Sequence, residues 1–166
     1  MIFCPVSIAY ATQIVKLAAS MDLDIPLLGS DTLDSNMVLE AAQGSNVQLY
    51  VSTFYQEGGS PEFDDGIKAW LNEDSTAMTN NGGNDTIAAV TAMGYDAYYV
   101  ALEALKAAGS TDKAAVKAAL PDVTYTGVSG SIAFDEQGDA IRDTAYIKTA
   151  DTANNAWTLE TVQTVE

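Results

Sequence analysis

Asp31 is the residue whose type and setting suggest chemistry most directly. It follows Ile25–Leu28, a short apolar run that reads as a strand, ended by Gly29-Ser30. A carboxylate just beyond the C-terminal end of a parallel strand points into the crevice where α/β sheets hold their ligands. There it would accept a charge-assisted hydrogen bond from an ammonium group, a contact of about 1.5–3 kcal/mol net. Aspartate in such a place also closes local turns or caps the helix that follows. Both roles stand at the level of sequence. Phe54 and Tyr55, at the end of a later apolar run, have the same duality: they line a cleft, or they are structural aromatics at a strand end.

The other acidic groups offer less. Glu57, Glu62, Asp64 and Asp65 surround a helix start, where the positive end of the helix dipole accounts for them without a pair of glycosidase carboxylates. Asp135-Glu136-Gln137-Gly138-Asp139 lacks the alternating ligands and closing glutamate of a calcium loop and reads as an acidic turn. Asn80-Asn81-Gly82-Gly83 lacks the lysine and Ser/Thr of a phosphate loop. The chain has no histidine, which removes Ser-His and Cys-His catalysis and His-based metal sites from within it. Its single cysteine, Cys4, sits in the apolar run Ile2–Val6 and reads as a small buried hydrophobe. No cofactor, metal or enzymatic activity is expected. Seven Lys+Arg against 23 Asp+Glu give a net charge of −16, which repels nucleic acid and anionic lipid as partners. No apolar run reaches the length of a membrane span, and no signal peptide is visible.

The elements that must position these residues alternate. Ile2–Val6 reads as a strand, Ala9–Ser20 as a helix with Ile14, Leu17, Ala18 and Met21 at helical spacing, and Ile25–Leu28 as a strand. Asp34 or Ser35 caps a helix carrying Met37, Val38, Ala41 and Ala42, stopped by Gly44; Val47–Phe54 is a third strand. This is the grammar of an α/β fold with a parallel sheet. Ser60-Pro61 opens a helix with Phe63, Ile67, Trp70 and Leu71 on one stripe. Residues 79–84, Thr-Asn-Asn-Gly-Gly-Asn, favour neither helix nor strand and mark a linker. A long helix over Asp85–Ala107 follows, with Tyr95, Tyr98 and Tyr99 as core or hinge packing. It ends at Gly109, and Ser110 or Thr111 caps a short helix to Leu120. Val128–Phe134 is a strand, and Ala145–Thr149 with Trp157–Val165 forms a C-terminal β hairpin turning through Asn154-Asn155.

Gly94-Tyr95-Asp96-Ala97-Tyr98-Tyr99, then Ala108-Gly109-Ser110-Thr111-Asp112, then Phe134-Asp135-Glu136-Gln137-Gly138-Asp139, in this order and spacing, resemble the C-terminal half of type I periplasmic binding proteins. The branch most resembled delivers branched-chain and related amino acids to an ABC importer. The resemblance implies two α/β lobes joined by three crossings, with the ligand between them. It implies that residues 1–78 belong to lobe two, 79–84 to a hinge, 85–140 to lobe one, and 141–166 to lobe two again. It also implies an extracytoplasmic parent, periplasmic or lipid-anchored, partnered by an ABC permease.

Carried onto this sequence, the resemblance places Ser7 and Ile8 at a ligand loop where relatives often put an aromatic residue. It places Asp31, with Thr32 beside it, where amino-acid-binding members grip the ligand's α-ammonium. Because the family's chain is much longer, the resemblance implies that strands and carboxylate-holding groups of each lobe lie outside this stretch. A stretch so reduced is expected to expose strand edges and apolar faces, to bind amino acids weakly, and to form a homodimer or exchange segments.

Overall fold

In the computed structural model, which describes residues 1–164, the strand–helix alternation is realised as two sheets joined through one long helix. Strands β1 (Ile2–Cys4), β2 (Leu27–Gly29) and β3 (Leu49–Thr53) run parallel. Strands β7 (Thr144–Asp151) and β8 (Ala156–Thr164) join antiparallel beyond β3, giving the order β1-β2-β3-β7-β8. The sheet is therefore mixed: parallel where helices connect its strands, antiparallel where the expected hairpin returns. That hairpin turns where Asp151 accepts from the Ala153 and Asn154 amides and Asn155 takes a positive φ of 53°. The expected strand end at Val165, and the last residues of the 141–166 return, lie outside the described residues.

The pleat explains the core. Leu27, Leu49 and Val51 face α1 (Ile8–Ser20) and α2 (Asn36–Ala42), where they meet Ala11, Val15, Ala18, Val38 and Ala42. Sequestering a leucine such as Leu49, fully buried here, contributes about 1.5–3 kcal/mol. The reverse face differs. The lateral row Phe3–Leu28–Tyr50 is set by register, and along it Leu28 and Tyr50 are half-buried while Phe3 is 63% exposed.

Helices α3 (Pro61–Glu73) and α4 (Ser75–Asn80) follow β3. Helix α4 corrects the expected linker: Asp74 accepts hydrogen bonds from the Thr76 and Ala77 amides, so a capped turn of helix runs into residues 79–80. The non-helical crossing occupies 81–88 and delays α5 to Ala89–Ala108 rather than Asp85. Asparagine side chains hold it: Asn81 Nδ2 donates to the carbonyls of Asn84 and Thr86, and Asn84 Oδ1 accepts from the Thr86 amide. Gly109, at φ 57°, ends α5 in the left-handed conformation that favours glycine.

Capping differs from expectation at two helices. Ser60 occupies the cap position of α3 without a side-chain bond, and Asp112, not Ser110 or Thr111, caps α6 (Lys113–Ala119). At α2 the cap is Ser35.

Small residues let α5 approach its neighbours. Ala89, Ala92, Asp96, Val100 and Ala104 recur at helical spacing and are all buried. A second, antiparallel sheet of β4 (Tyr125–Gly127), β5 (Gly130–Phe134) and β6 (Ala140–Ile141) lies against its later part through Val100, Ala104, Val123 and Ile132.

Asp96 secures that contact. Its carboxylate is fully buried and accepts from the Val128 amide at 2.9 Å, the Ser129 amide at 2.7 Å and the Ser129 hydroxyl. Replacing Asp96 with alanine leaves the Val128 and Ser129 amides and the Ser129 hydroxyl without their acceptor, while Arg142 keeps its bonds to Ser129. The expected loss is about 3 kcal/mol, from buried donors left unsatisfied, read as a lowered urea midpoint with the slope unchanged.

Candidate functional site

At the C-terminal ends of β1 and β2, two loops and the start of α5 enclose a cavity of about 540 Å³. Four of the five expected site residues line it: Ser7 and Ile8 from the β1–α1 loop, and Asp31 and Thr32 from the 3-10 turn after β2. Ala9 of α1, Asp34 and Ser35 ahead of α2, Asn36 and Met37 of α2, Asn80 and Asn81 at the end of α4, Ala88 just before α5, and Val90 and Thr91 within it also line the wall.

The fifth residue, Phe54, is not part of this wall. It turns beneath the Arg142 guanidinium, 5.0 Å from its ring centroid, a cation–π contact that takes the face a cleft aromatic would offer. The tyrosines form a row with Phe63. Tyr55 meets Phe63 edge-on at 5.7 Å, Phe63 meets Tyr95 at 5.0 Å, Tyr95 meets Tyr99 at 5.0 Å, and Tyr99 stacks on Tyr125 at 5.9 Å. Packing accounts for that row.

The Asp31 turn is held at its start from the neighbouring loop. Thr32 Oγ1 donates to the Val6 carbonyl at 2.9 Å and lies 2.9 Å from Ser30 Oγ. Gly29 precedes it because any Cβ there would collide with the Leu33 side chain, which is buried beneath the turn. Among the described residues, the Asp31 carboxylate accepts no hydrogen bond and joins no ion pair. It is half-buried, and no lysine or arginine lines the cavity around it. The capping role open at the level of sequence is not the one taken: Ser30 occupies the cap position and Ser35 caps α2.

Asp34, a cap candidate by sequence, has a different place. Its Oδ2 accepts from Thr53 Oγ1 of β3 at 2.8 Å, from Lys148 Nζ of β7 at 2.9 Å and from the Ala89 amide of α5 at 3.3 Å. Both charged side chains are almost wholly buried. Lys148 is 114 residues away, so no local pattern announced the pair. Asn36 adds a link between α2 and the crossing, donating to Asn81 O at 2.7 Å and Asn84 Oδ1 at 2.9 Å.

A mixed sheet with parallel strands flanked by helices, and a cavity at their C-terminal ends, is the type I periplasmic binding protein architecture in part. The sequence profile of the family described as "Periplasmic binding protein" matches residues 2–155, and the chain belongs to that family. Among solved structures it is similar to a leucine-binding protein of Thermotoga maritima, at 24% identity and a TM-score of 0.73, covering 98% of this chain and 44% of that one. It is also similar to a branched-chain amino acid transporter substrate-binding protein of Streptococcus pneumoniae in complex with isoleucine, at 21% identity and a TM-score of 0.65. A solute-binding protein of an ABC transporter from R. palustris, in complex with benzoate, matches at 16% identity and a TM-score of 0.71. In both of these the match covers 98% of this chain and 43% of the other. The chain thus spans less than half the length of these relatives. No curated protein sequence matches it.

Beside the site, Tyr55 donates to Asp64 at 2.6 Å, and Asp64 also accepts the Gly58 amide. Burial, then the bond to Asp64, raises the Tyr55 phenol above its ordinary value of about 10. The folded state therefore keeps a proton that the unfolded chain releases near pH 10. The stabilisation is complete below that pH and is lost progressively above it, by about 1.4 kcal/mol per pH unit. Urea midpoints are expected to stay flat to about pH 9 and fall above about pH 10, and Tyr55→Phe should flatten the fall.

Proposed function

We propose that this chain is part of an extracytoplasmic solute-binding protein that captures an amino acid, branched-chain or similar, for an ABC importer. In this reading Asp31 receives the ligand's ammonium. The observation that carries it is the unpartnered Asp31 carboxylate in a cavity without a cation. An anion there seeks a positive group from the ligand, and Ile8, Met37 and Val90 supply apolar wall for an aliphatic side chain. The likeness to a leucine-binding protein of Thermotoga and to a Streptococcus substrate-binding protein holding isoleucine supports the ligand class. The fold supports binding between closing lobes, with residues 1–78 and 141–166 in one, 85–140 in the other, and the hinge of 79–84 narrowed to its non-helical part from Asn81 onward. Nothing in the site furnishes a nucleophile with a base, so the reading is capture rather than catalysis.

Because the cavity offers the ligand's carboxylate no cation, isoleucine should bind this chain only weakly. Chemical-shift titration should show isoleucine amide, which keeps the ammonium, binding comparably, and N-acetylisoleucine, which lacks it, not binding. Asp31→Ala should weaken isoleucine about tenfold, the effect of one charge-assisted hydrogen bond. Equal binding of N-acetylisoleucine would remove Asp31 from the role.

A second reading, self-association of this chain, rests on a separate observation. Strand β1 is the outer strand of its sheet, and Met1, Phe3, Tyr10, Leu17 and Met21 are each more than half exposed around it. Such an edge favours pairing with a second copy. The net charge of −16 opposes that pairing until salt screens it. Light scattering is expected to show a dimer whose population rises with ionic strength; a monomer at all salt concentrations would exclude it.

A further inference from the structure

The buried Asp34–Lys148 pair touches both sides of the cavity, and Asp34 itself is part of the lining. Asp34 ends the turn that carries Asp31, and its own amide donates to the Asp31 carbonyl at 3.0 Å. The same carboxylate oxygen accepts the Ala89 amide, and Ala89 lies between Ala88 and Val90, which line the opposite wall. Thr53 and Lys148 tie that oxygen to the sheet beneath. Its other oxygen, Oδ1, is buried and has no hydrogen-bond partner among the described residues. Asp34 lines the cavity from beneath the Asp31 turn.

We infer that Asp34 is a positioning residue: through a single oxygen it sets the distance between the Asp31 turn and the first turn of α5, and so the width of the binding cavity. A hydrogen bond shared by two walls fixes their separation more tightly than apolar contact, which tolerates sliding. Lys148 supplies the charge that lets a carboxylate stay there away from water. The one-sided bonding has a chemical consequence. An asparagine at position 34 presents the same accepting oxygen, and its amino group falls where Oδ1 makes no bond. The positioning therefore resides in the acceptor and not in the charge. Naming the cavity a ligand site rests on the function proposed above; the positioning itself does not.

The test compares two variants of this chain that both lack the buried pair, Asp34→Asn with Lys148→Met and Asp34→Leu with Lys148→Met. They have similar side-chain volume at position 34 and differ in the acceptor. Amide hydrogen exchange, resolved by residue, is read at Ala89 and across residues 31–34. The asparagine variant is expected to keep wild-type protection within a few-fold. The leucine variant should exchange about tenfold faster at these positions, the scale of one buried hydrogen bond, with β8 and α6 unchanged. Equal exchange in the two variants, or acceleration in the leucine variant spread evenly along the chain, would overturn the inference. Should the leucine variant fail to fold, Asp34→Ser with Lys148→Met replaces it. Its shorter hydroxyl cannot span to Ala89, and wild-type protection there would equally overturn the positioning role. No ligand enters the measurement, so its outcome is separate from the assignment of Asp31.

Discussion

Two charges held out of water at the meeting point of a turn, two strands and a helix set the terms for the rest of this fold. Burying a carboxylate and an ammonium costs several kcal/mol per ion before their attraction returns any of it. The pair persists only if geometry is good on all sides, and here the sides are Thr53, Lys148 and the first amide of α5. Strand β7 reaches the pair beside a register shift between Ile147 and Lys148, which pair with Thr161 and Leu159, so that β8 carries the extra residue Glu160. Helix α5 starts where its amide meets the carboxylate.

A second polar junction, at Asp96, Ser129 and Arg142, joins the other sheet to α5, and Arg142 spans from it to Phe54 at the end of β3. The apolar residues form three separate clusters, one under α1 and α2, one around Tyr55 and Phe63, and one under the second sheet. Each cluster stabilises its own neighbourhood. The relation between neighbourhoods is carried by directional bonds to buried carboxylates, whose geometry is narrower than that of apolar contact.

What the sequence disclosed follows the range of the forces involved. Periodicity located β1, α1, β2, α2 and β3, because each buries one stripe whose spacing is written locally. The loops that line the cavity were legible for the same reason: they follow strands, and the family resemblance pointed to them. Helix α4 was missed because its signal is a single aspartate cap ahead of a polar stretch. The late start of α5 depends on two asparagine side chains, Asn81 and Asn84, bonding backbone, which composition alone reads as a loop. The places of Asp34 and Phe54 stayed open in the sequence because their partners, Lys148 and Arg142, come from strands and loops roughly a hundred residues on. Pairing at that separation leaves no local trace in one sequence.

The two loops that face the cavity differ in what they carry. The Asp31 turn is bolted to sheet and helix, whereas Ser7 on the neighbouring loop and Ala9 in the first turn of α1 are exposed and their side chains hold nothing together. Changes there alter the shape of the cavity wall without disturbing the scaffold, so cavity shape and folding can vary nearly independently.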